Sequence, residues 1–193
     1  EHPLMEGPHH AATYEAKYLF YLVQSACNFA QMDLQATYNS LRKRVELMES
    51  MPEQIIEETN SYVESVYHLL IISLSLGKYD TFSHYMEKLR LVPGLLPAKH
   101  QEQIEAVVFG YAAEMEGACH IKTGEFDKGI QIIQRIDEQM RQYKGKLYKL
   151  TETNLCFNNA VLCFGKGNFS ESLKWINRIL NDPGSRHGED VYS

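Results

Sequence analysis

The stretch I-K-T-G-E-F-D-K-G-I-Q-I-I-Q-R-I, Ile121 to Ile136, decides the fold. A glycine is followed two residues later by an aromatic, then by an acid, then by an apolar run at helical spacing. Nearly the same phrase returns as G-K-Y-D at Gly77 and as G-N-F-S at Gly167. Gly77 to Gly124 is 47 residues, and Gly124 to Gly167 is 43. A step of 47 back from Gly77 falls on Ala30 in A-Q-M-D, where Met32 and Asp33 take the places of Tyr79 and Asp80. A phrase repeated at such a period signals stacked helix pairs.

Each part of the phrase has a physical task. Glycine ends the first helix because it accepts a left-handed backbone without a Cβ clash. The large apolar residue fills the gap between the paired helices. The following Asp or Ser is expected to cap the free amides of the second helix or to favour its dipole. One hairpin cannot bury its apolar faces alone, so neighbours stack, which predicts an all-α solenoid.

Helical period runs through almost the whole chain, and no N-G or D-G hairpin turn interrupts it. The pattern predicts eight helices: Ala12–Ala30, Leu34–Glu49, Pro52–Leu76, Asp80–Leu91, Ala98–Thr123, Phe126–Tyr143, Lys149–Gly165 and Phe169–Leu180. The segment L-V-P-G-L-L-P-A reads as a loop, and N-D-P-G stops the last helix. Residues 1–11 are expected to be extended or disordered, residues 12–184 to form the repeat domain, and residues 185–193 to begin a further, truncated helix.

The turn with a long helix on each side resembles the tetratricopeptide repeat. In the best-matching copy, Thr151 to Gly184, the first-helix pattern falls on Cys156, Asn159, Ala160 and Cys163. The turn is Gly167-Asn168-Phe169, the small second-helix residue is Ser172, and Pro183 closes the copy. In the preceding copy the small residue is Gly129. The copies here are longer than that family's 34 residues. The only tryptophan, Trp175, lies on a second helix, and Phe82 replaces a small residue. The resemblance implies a right-handed superhelix whose concave face, lined by the first helix of each pair, binds proteins or peptides. It implies groove positions Lys17, Phe20 and Gln24 in the first pair and Glu64, Tyr67 and Ile71 in the second. In the third they are Tyr111, Glu114 and Ala118, and in the fourth Asn154, Phe157, Asn158 and Val161. Aromatics interleaved with polar groups suit peptide recognition, since rings give area and polar groups set register.

Composition narrows the remaining classes. The chain has 193 residues, is 44% hydrophobic and carries a net charge of −6. That charge argues against nucleic acid, which needs a concentrated basic surface. The one basic run, Arg42-Lys43-Arg44, spreads around a helix and is expected to be a solvated face. No apolar run reaches the roughly 20 residues of a membrane helix; His68 to Leu76 reads as a buried helix segment. Cys27, Cys119, Cys156 and Cys163 read as small buried side chains in a reducing compartment, so a cytoplasmic location is expected. The missing initiator methionine suggests an excised fragment, and the truncated array end suggests a homodimer through its apolar face.

No catalytic or metal constellation stands out. His2, His9, His10, His68, His84, His100, His120 and His187 are scattered; His68 and His84 are the pair that a hairpin could bring together. The acidic pairs Glu57-Glu58 and Glu114-x-Glu116 read as exposed helix charge. No phosphate-cradling glycine loop or nucleophile elbow is present. The sequence therefore predicts a non-enzymatic protein- or peptide-binding scaffold without cofactor or metal. A peptide-sensing regulatory domain of a larger protein and a helical metal-dependent enzyme are the alternatives.

Overall fold

A computed structural model describes residues 13–181. The expected N-terminal segment, the closing Pro183-Gly184, the further helix at 185–193 and His2, His9, His10 and His187 lie outside the described residues. Among those residues the chain is all-helical and contains no strand. The helices are α1 (Tyr14–Ala30), α2 (Leu34–Glu49), α3 (Pro52–Glu57), α4 (Thr59–Ser75) and α5 (Tyr79–Leu91). After them come α6 (Ala98–Thr123), α7 (Phe126–Gln142), α8 (Lys149–Gly165) and α9 (Phe169–Leu180). The chain divides at Ala98 into two compact units.

The repeated phrase closes four helices in the same way. At the end of each, one amide reaches back five residues: Asp33 to Asn28 (3.0 Å), Lys78 to Ser73 (2.8 Å), Glu125 to His120 (2.9 Å) and Asn168 to Cys163 (2.8 Å). The residue before it reaches back three: Met32 to Phe29, Gly77 to Leu74, Gly124 to Ile121 and Gly167 to Phe164. This is the Schellman arrangement, and it demands a left-handed residue. Gly77, Gly124 and Gly167 supply it at φ 70°, 72° and 79°, and Met32 supplies it at φ 61°.

Met32 therefore corrects the register of the first copy. It stands in the glycine place, not the aromatic place, and Leu34 opens α2 where Tyr79, Phe126 and Phe169 open the later helices. The caps shift too. Asp33 and Asn168 accept from the amides of Ala36 and Glu171, but Asp80 and Asp127 lie inside the first turn of their helices, where they favour the dipole without capping; Asp127 also pairs with Lys166.

Three other boundaries differ from expectation. The first helix starts at Tyr14 because Thr13 is extended and accepts from the Ala16 amide at 3.2 Å. The expected single helix from Pro52 to Leu76 breaks at Glu58 (φ −115°, ψ 40°). There the Thr59 hydroxyl donates to the carbonyls of Ile55 and Ile56 at 2.8 and 3.0 Å, a back-bond that bends helices. The Pro-Gly loop is a 3₁₀ turn over Val92–Leu95.

In the first unit α2 packs on both α1 and α4, and α4 on α5. Val45, Met48, Val63, Val66, Leu69, Leu70 and Leu89 are sealed from solvent there. In the second unit Ala106 and Ala113 of α6, Ile136 and Met140 of α7, and Leu147, Leu155 and Cys156 around α8 form one core, with Trp175 and Ile179 of α9 against it. Small residues let these helices approach. A Cβ on Gly129 would meet Leu162 Cδ2 at 2.3 Å, and Ser172 donates to the Ala160 carbonyl at 2.9 Å. These are the two positions read as small in the sequence.

Candidate functional site

The first unit holds an apolar groove of about 270 Å³ between α1, α2 and α4. Leu22 and Phe29 of α1, Leu41 of α2, and Ile71 and Ile72 of α4 form its walls. Two hydroxyls line it, but both are taken: Ser25 donates to the Leu22 carbonyl at 2.8 Å and Thr37 to the Asp33 carbonyl at 2.7 Å. The remaining polar groups are His68 and Arg44.

Arg44 contradicts the expectation of a solvated basic face. Arg42 and Lys43 are exposed, but Arg44 keeps only 3% of its surface. It falls on the inward stripe that carries Thr37, Leu41, Val45 and Met48. Its Nε is buried and meets no hydrogen-bond acceptor. The Tyr18 ring lies 5.7 Å from the guanidinium carbon. Burial lowers the Arg44 pKa, with Tyr18 and Glu64 opposing, yet a guanidinium keeps its charge at physiological pH. Partial burial and the Arg44 charge also hold the His68 imidazole below its ordinary range, against a pull from Glu64. The groove thus presents one cation beside a histidine biased to neutrality.

The positions read as a concave face divide between the two units. In the first, Phe20 is buried, edge-on to Tyr21 at 5.4 Å. Lys17, Gln24 and Tyr67 are half-buried and Glu64 is exposed. Gln24 accepts from Ser40 at 3.2 Å, and Ile71 alone of this set lines the groove.

In the second unit, α6 and α8 bring Glu114, Asn154 and Asn158 together. Asn154 donates to the Glu114 carboxylate at 3.0 Å, and Asn158 donates to the Glu114 carbonyl at 2.9 Å. Glu114 is buried, which corrects the reading of Glu114-x-Glu116 as exposed charge; Glu116 pairs with Arg135 at 2.8 Å. Tyr111 is buried and stacks on Tyr148 at 6.3 Å, whereas Phe157 is 54% exposed. Ala118 and Val161 are half-buried.

An uncovered apolar face lies nearby on the last hairpin. Leu150, Phe157 and Phe164 recur every seven residues along α8, and Phe169, Leu173 and Leu180 follow one side of α9; each is more than half exposed. Phe164 and Phe169 meet edge-on at 5.4 Å, joining the two rows at the turn.

Among the described residues no cluster of His, Cys, Asp and Glu could hold a metal ion. His84 lies edge-on to Tyr85 at 5.1 Å, while His68 faces the groove. Cys156 and Cys163 are buried as expected; Cys27 is exposed and Cys119 half-buried, so those two depart from the reading as core side chains. No helix among the described residues is long and apolar enough to cross a membrane. A comparison with known proteins returns no matching family model, no matching curated protein and no matching solved structure.

Proposed function

We propose that this chain is a tetratricopeptide-like array of helix pairs that works as a non-enzymatic scaffold and binds a protein partner. The observation that carries this reading is the uncovered face of α8 and α9. Six large apolar side chains stand more than half exposed on that one hairpin, in two rows joined at the turn. Contiguous apolar patches of this kind mark interaction surfaces. In a stacked array each pair has a neighbour on both sides, and on this reading the two exposed rows are the face that a neighbour would take. An amphipathic helix laid along the two rows matches them, because its own apolar residues recur every three to four positions. The turn repeated four times supports the array.

The test is Leu173→Glu. Leu173 is 62% exposed, so the fold should keep its thermal midpoint. Capture of a protein partner by the wild-type chain and its loss in the variant would support the reading. A concentration-dependent dimer by light scattering, abolished by the same change, would make a second copy the occupant. A monomer whose captured partners are indifferent to Leu173→Glu and Phe164→Ser would sink it.

A further inference from the structure

A buried cation without a counter-charge is among the costliest things a fold can hold. Arg44 is in that position. Among the described residues no carboxylate sits within ion-pairing distance of it, and its Nε has no acceptor. Glu64 acts on it only at longer range. The Tyr18 face supplies part of the compensation, but a ring satisfies no N–H. Both hydroxyls around it are spent on main-chain carbonyls, and the unmet donor is the Arg44 Nε.

We propose that the groove between α1, α2 and α4 is a binding site for a short apolar monocarboxylate, whose carboxylate meets the Arg44 guanidinium and whose hydrocarbon lies against Leu22, Leu41 and Ile72. The planar guanidinium matches a carboxylate with two parallel hydrogen bonds. A single cation among apolar walls, with Glu64 in its field, suits one negative charge and disfavours the two of a phosphate monoester. The groove's volume of about 270 Å³ holds a short acid and not a long chain. His68 lines the same groove and adds a polar edge beside the cation. The site belongs to the first unit and the α8–α9 face to the second, so it does not depend on the scaffold reading.

The experiment is calorimetric titration of the full chain with octanoate, with octanol as the neutral match. Octanoate is expected to bind, to raise the thermal midpoint, and to bind at least about tenfold more tightly than octanol, as a charge-assisted pair requires. Arg44→Gln should remove that preference while leaving the ligand-free midpoint unchanged or higher, because it deletes a buried unpaired charge. Should Arg44→Gln fail to fold, Ala26→Phe serves instead. Ala26 is an exposed groove residue, and a ring there fills the space without touching the fold's core. A short peptide ending in leucine, compared as free acid and as amide, separates the two sources of such a carboxylate. Preference for the free-acid peptide over octanoate assigns the site to a chain terminus, and the reverse assigns it to a free acid. Equal binding of octanol and octanoate, indifference to Arg44→Gln and Ala26→Phe, or no binding of any carboxylate overturns the proposal.

Discussion

Asn154 donates its side-chain amide to the Glu114 carboxylate at 3.0 Å, and one helical turn later Asn158 donates to the Glu114 carbonyl at 2.9 Å. The two bonds tie α8 to α6 at one residue, but they differ in worth. The Glu114 carboxyl is buried, so removing Asn154 strands a polar oxygen away from water, whereas the carbonyl belongs to the helix ladder. Asn154→Ala should therefore cost about 1.5–3 kcal/mol and Asn158→Ala about 0.5–1.5 kcal/mol. Urea unfolding followed by circular dichroism would rank them. Equal losses, or a larger loss for Asn158→Ala, would show that the carboxylate is not stabilised through Asn154.

Gly129 sits against Leu162, and two opposing effects decide what alanine does there. Alanine in a helix gains about 0.5–1 kcal/mol over glycine. The new Cβ would stand 2.3 Å from Leu162 Cδ2, with two more atoms of that side chain within 3.2 Å. Leu162 is fully buried and cannot swing into solvent. Overpacking of this kind costs roughly 1–3 kcal/mol, so the clash wins. Gly129→Ala is expected to lower the unfolding midpoint, and an unchanged or raised midpoint would mean that α7 and α8 shift apart freely.

The helices are legible in the sequence because their signals are local. Glycine two residues before an aromatic, apolar spacing of three and four, and prolines at the breaks each act within a turn or two. What escapes are positions where one interaction overrides the pattern. Thr59 splits a helix through its hydroxyl, and no periodicity reports that bond. Met32 escapes because spacing points to Ala30, a small residue, as the turn position. The hydrogen-bond geometry of the turn, not the residue type, identifies the equivalent place.

Met32 makes the cost of that exception measurable. A non-glycine residue at φ 61° loses about 1–2 kcal/mol to its Cβ contact with the following carbonyl. Glycine avoids this but adds roughly 0.4–1 kcal/mol of unfolded-state entropy. The Met32 side chain is 77% exposed, so little burial is lost on removing it. Met32→Gly should stabilise the first unit, by up to about 1 kcal/mol. The converse change, Gly77→Met, should destabilise it by a similar amount. Differential scanning calorimetry of the two variants decides the matter, and a destabilised Met32→Gly would refute the strain argument.

The groove is harder to read than the fold. Arg44 belongs to a run of three basic residues whose companions are exposed, and its own neighbours give no hint of burial. The available signal is phase: position 44 lies three residues after Leu41 and seven after Thr37, on the stripe that Met48 continues. Glu114 escapes for a related reason, since a charged residue inside Y-A-A-E-M-E-G reads as surface until its asparagine partners 40 and 44 residues away are known. Long-range partners decide such burials, and a single sequence carries no record of them.

Asp137 gives a pH signature for the junction of α7 and α9. Burial pushes its carboxyl pKa up, but hydrogen bonds from Arg141 and Arg178 outweigh this and hold it below the ordinary range. The Arg178 contact is 2.6 Å long. A depressed folded-state pKa means that the unfolded chain binds the proton more readily. Asp137 therefore contributes stability that is fully present above its unfolded value of about 3.9 and is lost as the pH falls through its folded value. The arginine side chains are 70% and 45% exposed, so solvent screens the pair and the contribution is about 1 kcal/mol or less. Asp137→Asn should be less stable than wild type at pH 7 by that amount. The gap should begin to narrow as the pH drops below about 4, and it should shrink at high salt even at neutral pH. A gap that stays constant from pH 7 to pH 2 would show that the substitution removes packing and not an ion pair.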